Sequence, residues 1–228
     1  NAFRNQNIKD IDKIIEFFHP VKTKYKLIRV GETNDGGYLL PDILNQIKFC
    51  LSAGVGNTCL FEKQLEEKNI ISYLNDYSIP KPPNELKISF FEKKFINSYN
   101  SEKTLNVNSW INRLIKDNNL EIYNSILKID TEGAEYEILP SLDENFLKEF
   151  KILVIEFHNL EFLGNEIILQ LMSSIKKKIL KYFLPIHIHA NNSSKLHNIY
   201  NLKVPSAIEV TYLNKKLIDT YSPINEIP

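Results

Sequence analysis

Three apolar runs in this 228-residue sequence end on acids or imidazoles. "LKIDTEGAEYEIL" carries Asp130 and Glu132, "VIEFHN" carries Glu156 and His158, and "HIHANN" carries His187, His189, Asn191 and Asn192. An unpaired ionised carboxylate is costly among apolar side chains, so Glu156 needs a cation, a proton or a hydrogen-bond donor. Side chains alternate along a strand, which puts Glu156 and His158 on one face and groups His187 with His189. With the strands as near neighbours, Asp130, Glu156, His158 and His189 converge on one pocket. Two chemistries follow. His158 or His189, whose ordinary pKa is about 6.5, removes a proton from a hydroxyl. Alternatively, Asp130, Glu156 and His158 hold a divalent ion, Mg or Mn, that acidifies that hydroxyl. Plainer readings exist for some of these groups. Glu132 and Glu135 suit a helix N-terminus, whose dipole favours acids, and Glu135 is expected to do no more than that. His187 reads as structural, and Glu156 with His158 also reads as a buried pair.

Only seven glycines occur, about half the usual frequency. Five of them fall in "NDGGYLLPD", "SAGVGNTCLFE" and "DTEGAE", where strands give way to helices. Glycine there allows positive φ and close approach of a ligand to backbone amides. Gly54, Val55 and Gly56 follow the run "IKFCLS" and open a helical pattern, as the first strand-to-helix turn of a nucleotide-binding sheet does. A dinucleotide fingerprint would place a third glycine at 59, where Cys59 stands. Asp76 lies 22 residues beyond Gly54, at the spacing of an acid that accepts from both ribose hydroxyls. A nucleoside cofactor without a pyrophosphate fits this combination, and S-adenosylmethionine is the commonest of these.

The elements that must position these groups alternate. Apolar, β-rich runs appear at "IKFCLSA", "IISYL", "LKISFF", "SILKI", "KILVIEF", "YFLPIHIH" and "SAIEVTYL". Helical patterns stand between most of them, including "TCLFEKQLEEK", "VNSWINRLIKD" and "EIILQLMSSIKKKIL". This order predicts an α/β fold with a mostly parallel sheet covered on both faces, the last two strands pairing antiparallel. Ile8, Ile11, Ile14, Ile15 and Phe18 recur at helical spacing and predict a covering helix ahead of the sheet. "PKPPNE" is a rigid connector, since its prolines continue neither a ladder nor a helix.

Composition bounds the function. At 43% hydrophobic residues the chain can bury a core without a metal or disulfide staple. Lys plus Arg and Asp plus Glu number 28 each, so no overall field recruits nucleic acid or an anionic membrane. No run approaches the length of a membrane span, and no signal segment opens the chain, so we expect a soluble, cytoplasmic protein. Cys50 and Cys59 suit a reducing compartment. Beginning on Asn1 rather than Met fits a processed product or a piece of a longer chain.

With these residues assembled, the chain resembles the FkbM-type family of S-adenosylmethionine-dependent methyltransferases. The matching stretches are "GETNDGGYLLP", "SAGVGNTCLFEKQL", "YLNDYSI", "LKIDTEGAEYEIL", "VIEFHN", "HIHANN" and "EVTYL", in family order from about residue 28 to 213. The resemblance implies a Rossmann-like class I methyltransferase fold: a mostly parallel seven-stranded sheet with a final antiparallel strand and helices on both faces. It implies a single domain over 1–228, with an N-terminal helical cover over 1–27 and a catalytic core over 28–213. Carried over by position, Gly54, Val55 and Gly56 form the cofactor turn, Asp76 is the ribose acid with Tyr77 beside it, and Asp35, Gly36, Gly37 and Tyr38 lie near the cofactor's amino acid portion. Asp130 faces the transferring methyl or the acceptor. Ser52 stands where many methyltransferases place an acid, which leaves Asp35 or Glu62 to supply charge for the cofactor amine.

Methyl transfer in this family usually goes to oxygen. The resemblance favours a sugar hydroxyl, on a nucleotide-linked precursor of bacterial surface polysaccharide, with Glu132, Asn191 and Asn192 on the acceptor; amine, amide and natural-product acceptors stay open. Three other classes compete. A nicotinamide oxidoreductase lacks its glycine at 59, a metal-dependent hydrolase leaves the glycine turn unexplained, and a non-catalytic interaction domain would ignore the cofactor.

Overall fold

A computed structural model describes residues 11, 14–33, 36–199 and 202–224. Its centre is a seven-stranded sheet, whose strands we number β1 (Phe49–Ala53), β2 (Ile71–Asn75), β3 (Phe90–Glu92), β4 (Ser125–Ile129), β5 (Ile152–Phe157), β6 (Phe183–Ala190) and β7 (Ile208–Asn214). The spatial order is β6-β7-β5-β4-β1-β2-β3, and β7 runs antiparallel to both of its neighbours. Six of the seven strands coincide with the apolar runs of the sequence, and β3 begins only at Phe90, at the end of the run "LKISFF". From β1 the chain builds outward through β2 and β3, then returns to β4 on the other side of β1. Strand order therefore reverses between β1 and β4, and ligands of such sheets collect beyond the carboxyl ends at that crevice.

Alternation along the strands divides the core in two. On β5, Leu153, Ile155 and Phe157 face one cluster, and Ile152 and Val154 face the other. The first face is covered by helices α2 (Val107–Asn118), α3 (Glu135–Ser141) and α4 (Glu166–Tyr182), whose Trp110, Ile138 and Met172 are buried against it. Residues 14–18 are helical and join that side, where Phe17 and Phe18 pack edge-on to Phe157. The rest of the helix expected over 8–18 lies largely outside the described residues.

The second face carries α1 (Leu60–Glu66) and a β-hairpin, Leu27–Gly31 with Gly37–Pro41. Phe61 and Leu65 of α1 and Val30, Tyr38 and Leu40 of the hairpin are buried there. The hairpin is absent from the sequence-based elements, although its alternating residues and the glycines at its tip are the marks of one. Its position matters, because Lys128, Glu156 and Glu209 all point to the face that it covers.

Candidate active site

The ladders set the site residues in one row. Ala53 of β1 pairs with Asn75 of β2 and Ile129 of β4, and Ile129 pairs with Ile155 of β5. Pairing continues past these strand ends, Gly54 N donating to Asn75 O at 2.9 Å and Asp130 N to Ala53 O at 2.9 Å. Glu156 then lies opposite Glu209 of β7, and Glu209 opposite His189 of β6. Cross-strand partners share a face. Asp76, Gly54, Asp130, Glu156, Glu209 and His189 thus follow one another across the sheet at its carboxyl-end rim.

Gly54 has φ +88° and approaches β4 so closely that a Cβ would sit 1.6 Å from the Asp130 carbonyl oxygen. No other residue fits this turn. Asp76 shapes its far side, Oδ2 accepting from Val55 N at 3.0 Å and Gly56 N at 2.9 Å. Oδ1 accepts from Ser78 N at 2.7 Å and Ser78 Oγ at 2.6 Å. Burial works against its charge, but these bonds outweigh it and hold the carboxyl below its usual range. An ionised carboxylate offers about four acceptor sites, so a ribose hydroxyl at Asp76 must displace one of these donors, most simply the Ser78 hydroxyl. Tyr77 follows on the rim, its ring 5.4 Å from that of Phe95 and approached by Lys93 and Lys103.

Beneath the turn lies a buried ammonium that the sequence reading passed over. Lys128 Nζ donates to Gly54 O at 2.9 Å and stands 3.6 Å from Glu62 and 3.5 Å from Asp130. Burial disfavours its charge, but Glu62 and Asp130 more than compensate and its pKa is raised. Ser52, in the position where an acid was expected, donates to Glu62 Oε1 at 2.5 Å. Glu62 of α1 thus brings a buried carboxylate to that position, and Lys128 already partners it. Gly36 lines the cleft and Gly37 fits tightly against Glu32 O, while Asp35 lies outside the described residues.

His158 is held on one side by Glu135, contrary to the expectation that this acid only starts a helix. Glu135 is fully buried; its Oε1 accepts from His158 N at 2.7 Å and lies 3.2 Å from His158 Nδ1. Its Oε2 accepts from Gly133 N at 2.9 Å, so the same carboxylate also serves the helix start. The ring's Nε2 faces Glu132 and Glu156 at 3.5 Å each and Asp130 at 4.0 Å. Burial disfavours the imidazolium, but the Glu135 hydrogen bond and charge, then Glu156 and Asp130, prevail and raise the His158 pKa. Glu156 is raised as well, first by burial and then by the Asp130 charge, against the pull of His158. Tyr38 donates to Asp130 Oδ2 at 3.0 Å, and Asn191 Nδ2 donates to Glu156 Oε1 at 2.8 Å. One ligand atom from each of Asp130, Glu156 and His158 lies within 4.8 Å of the others.

His189 does not join this centre. It is separated from Glu156 by the β7 strand, stacks on His187 with ring centroids 6.5 Å apart, and has Nε2 3.2 Å from Asn192 Oδ1. Convergence therefore holds for Asp130, Glu156 and His158 and fails for His189, because β7 inserts between β5 and β6. Glu209, buried on that inserted strand, is the row member that sequence reasoning missed. The enclosed cleft at the centre measures about 170 Å³, running from Gly56 past Asp130 to Asn191. Ligand pockets usually hold about 300–1,000 Å³, so a nucleoside ligand would extend beyond the enclosed part.

The glycine turn at the strand-order reversal, the antiparallel β7 and the acid–imidazole rim define a Rossmann-like domain of the methyltransferase type. The chain belongs to the FkbM methyltransferase domain family, whose model matches residues 39–182, and it is a methyltransferase. No curated protein matches it significantly. Remotely similar solved structures include the following two. The N-methyltransferase NodS from Bradyrhizobium japonicum WM9 is 7% identical, with 94% of this chain and 97% of that chain covered and a TM-score of 0.41. A candidate rRNA-methylase from Clostridium thermocellum is 11% identical, with 75% and 90% covered and a TM-score of 0.38. Neither likeness bears on the acceptor. Among the described residues, no helix is long and apolar enough to cross a membrane.

Proposed function

We propose that the protein transfers a methyl group from S-adenosylmethionine to a sugar hydroxyl, on a nucleotide-linked precursor of bacterial surface polysaccharide. The observation that carries this reading is the row itself: the Gly54–Gly56 turn, beside Asp76, abuts the Asp130, Glu156 and His158 centre across a single strand boundary. The donor set suits a cationic ligand, since Asp130, Glu132, Glu135 and Glu156 outnumber the cations around them. Gly54 to Gly56, Asp76 and Tyr77 would hold the nucleoside, with Gly36, Gly37, Tyr38 and Glu62 toward its amino acid end. Bound there, the sulfonium supplies an activated methyl group. Asp130, held by the Tyr38 hydroxyl, would orient the acceptor, and His158 Nε2 would take the acceptor's hydroxyl proton. Alignment within about 3–3.5 Å is the main contribution the protein can make. Buried free thiols at Cys50 and Cys59 support a reducing, cytoplasmic setting.

Calorimetry with S-adenosylhomocysteine tests the cofactor. Wild type is expected to bind it, and Asp76→Ala to weaken binding at least about tenfold by releasing Val55 and Gly56 from their acceptor. No binding at millimolar ligand would overturn the reading.

A second reading rests on the three ligand atoms gathered at Asp130, Glu156 and His158. Two carboxylates and an imidazole suit Mg or, better, Mn, which would acidify the acceptor hydroxyl while these residues serve as ligands. Activity should then vanish on exhaustive chelation and return with either ion. Full turnover in chelated enzyme leaves His158 as the base.

A further inference from the structure

We infer that a second cavity, on the opposite side of the β6–β7 rim from the reacting centre, holds the aliphatic chain of an anionic amphiphile, with the anionic head at Lys203. The inference is independent of the methyl-transfer reading. Size, lining and charge support it.

The cavity measures about 350 Å³. Ile188 of β6 and Ile208 of β7 form its floor, because the alternation that turns His189 and Glu209 to one face turns these two to the helix-covered face. Its walls come from three further elements: Phe18 ahead of the sheet, Leu160 and Leu163 of the 3₁₀ turn Leu160–Gly164, and Val204 of a second hairpin, Leu196–Ile199 with Leu202–Pro205. An apolar cavity of about 150 Å³ stays dry and takes up benzene, so a space more than twice as large has room for roughly ten to fourteen carbons. An aliphatic chain fits these walls, and a sugar does not.

The charge at the mouth decides which amphiphile. Among the described residues, Lys203 is the one lining residue that is not apolar, and no acid lines the cavity. Its cross-strand partner is Asn198, an amide. Lys203 is exposed whereas Val204 and Ile208 are buried, so the ammonium stands at the water end of an apolar recess. Leu196, opposite Pro205 on the face that carries Lys203, is 67% exposed and extends the apolar surface outward beside that ammonium. A chain pointing inward with an anion at the mouth satisfies both.

The active-site cleft cannot serve the same ligand, since Glu62, Asp130, Glu132 and Glu156 line it and repel an anionic head. The two spaces are neighbours all the same. Ala190 lines the cavity and Asn191 the cleft, while Ile208 lies opposite Phe157 and Leu160 follows shortly after His158. A bound chain thus packs against residues that flank the reacting centre without entering it.

The test is calorimetry on the full chain without cofactor, with octanoate, decanoate and decylamine as probes. Both carboxylates are expected to bind, decanoate about 16-fold more tightly than octanoate, at about fourfold per buried methylene. Decylamine should bind about three- to tenfold more weakly than decanoate, the scale of a charge contact at the surface, and Lys203→Glu should remove that preference. Ala190→Phe, which fills the cavity from its edge, should weaken decanoate at least about tenfold and leave S-adenosylhomocysteine affinity and the melting temperature unchanged. Lys203 and Ala190 are both exposed, so neither variant strains the core. Cosedimentation with phosphatidylglycerol vesicles separates the two sources of such a ligand. Retention of wild type but not of Lys203→Glu identifies a membrane lipid, and decanoate binding without retention identifies a free amphiphile. No binding of decanoate at millimolar concentration, equal affinity for decylamine, or indifference to Ala190→Phe would each overturn the site. Failure of S-adenosylhomocysteine to bind would remove the methyl-transfer reading and leave this one standing.

Discussion

His158→Ala is expected to slow methyl transfer by about 10²- to 10⁴-fold, the range of a lost general base, with S-adenosylhomocysteine affinity and the thermal transition little changed. The ring is held from behind by Glu135, which fixes Nδ1 and leaves Nε2 toward Asp130 and Glu156. Removing it takes away the proton acceptor and leaves the backbone bond from position 158 to Glu135 in place. Asp130→Asn should cost a comparable factor, because it removes the charge that Tyr38 and Lys128 orient. The pH dependence gives a separate readout. Glu135, Glu156 and Asp130 hold the His158 pKa above its ordinary value, and only the neutral ring can accept a proton. Wild-type kcat/KM should therefore rise with pH on the alkaline side of the usual histidine range, and Glu135→Gln should move that rise toward neutrality. In His158→Ala the rise should be gone. Near-normal turnover in both His158→Ala and Asp130→Asn, with folding intact, would exclude them from the chemistry.

The polar centre was legible wherever a charged group terminates a buried apolar run, because the cost of burial needs no knowledge of topology. Asp130, Glu156 and His158 are of this kind. Lys128 carries the same signal, because it interrupts "SILKI" at a position buried to 4% exposure, but its apolar neighbours on both sides mask it. Glu209 was illegible for a different reason. In parallel strands functional groups follow the carboxyl end, but β7 runs antiparallel and brings its amino-terminal Glu209 to that rim. Spatial order was equally beyond reach. Nothing in the local sequence says that the last strand inserts between β5 and β6, which is what separates His189 from the centre it was expected to join. Glu135 sits where a helix-starting acid belongs and does that work too; only the approach of β5 reveals its second partner.

Gly54→Ala is expected to cost about 2–6 kcal/mol of stability, from left-handed backbone strain together with overpacking, and to abolish S-adenosylhomocysteine binding. The added methyl would meet the Asp130 carbonyl oxygen at 1.6 Å, and that atom is backbone within a ladder, so no rotamer change relieves the contact. Relief requires β1 and β4 to part at their carboxyl ends. That movement breaks the Lys128 bond to Gly54 O, shifts Asp130 relative to His158, and draws Val55 and Gly56 off Asp76. Gly56→Ala is the matched control. Its φ is also positive, at +61°, but a Cβ there meets nothing within 4 Å, so about 1–2 kcal/mol of conformational cost is all that should appear. At about 2–4 °C per kcal/mol for a chain of this size, the two melting temperatures should be resolved whenever the difference exceeds about 1 kcal/mol. Equal melting temperatures and equal ligand affinities in the two variants would mean that close contact between the Gly54 turn and Asp130 does not organise the site.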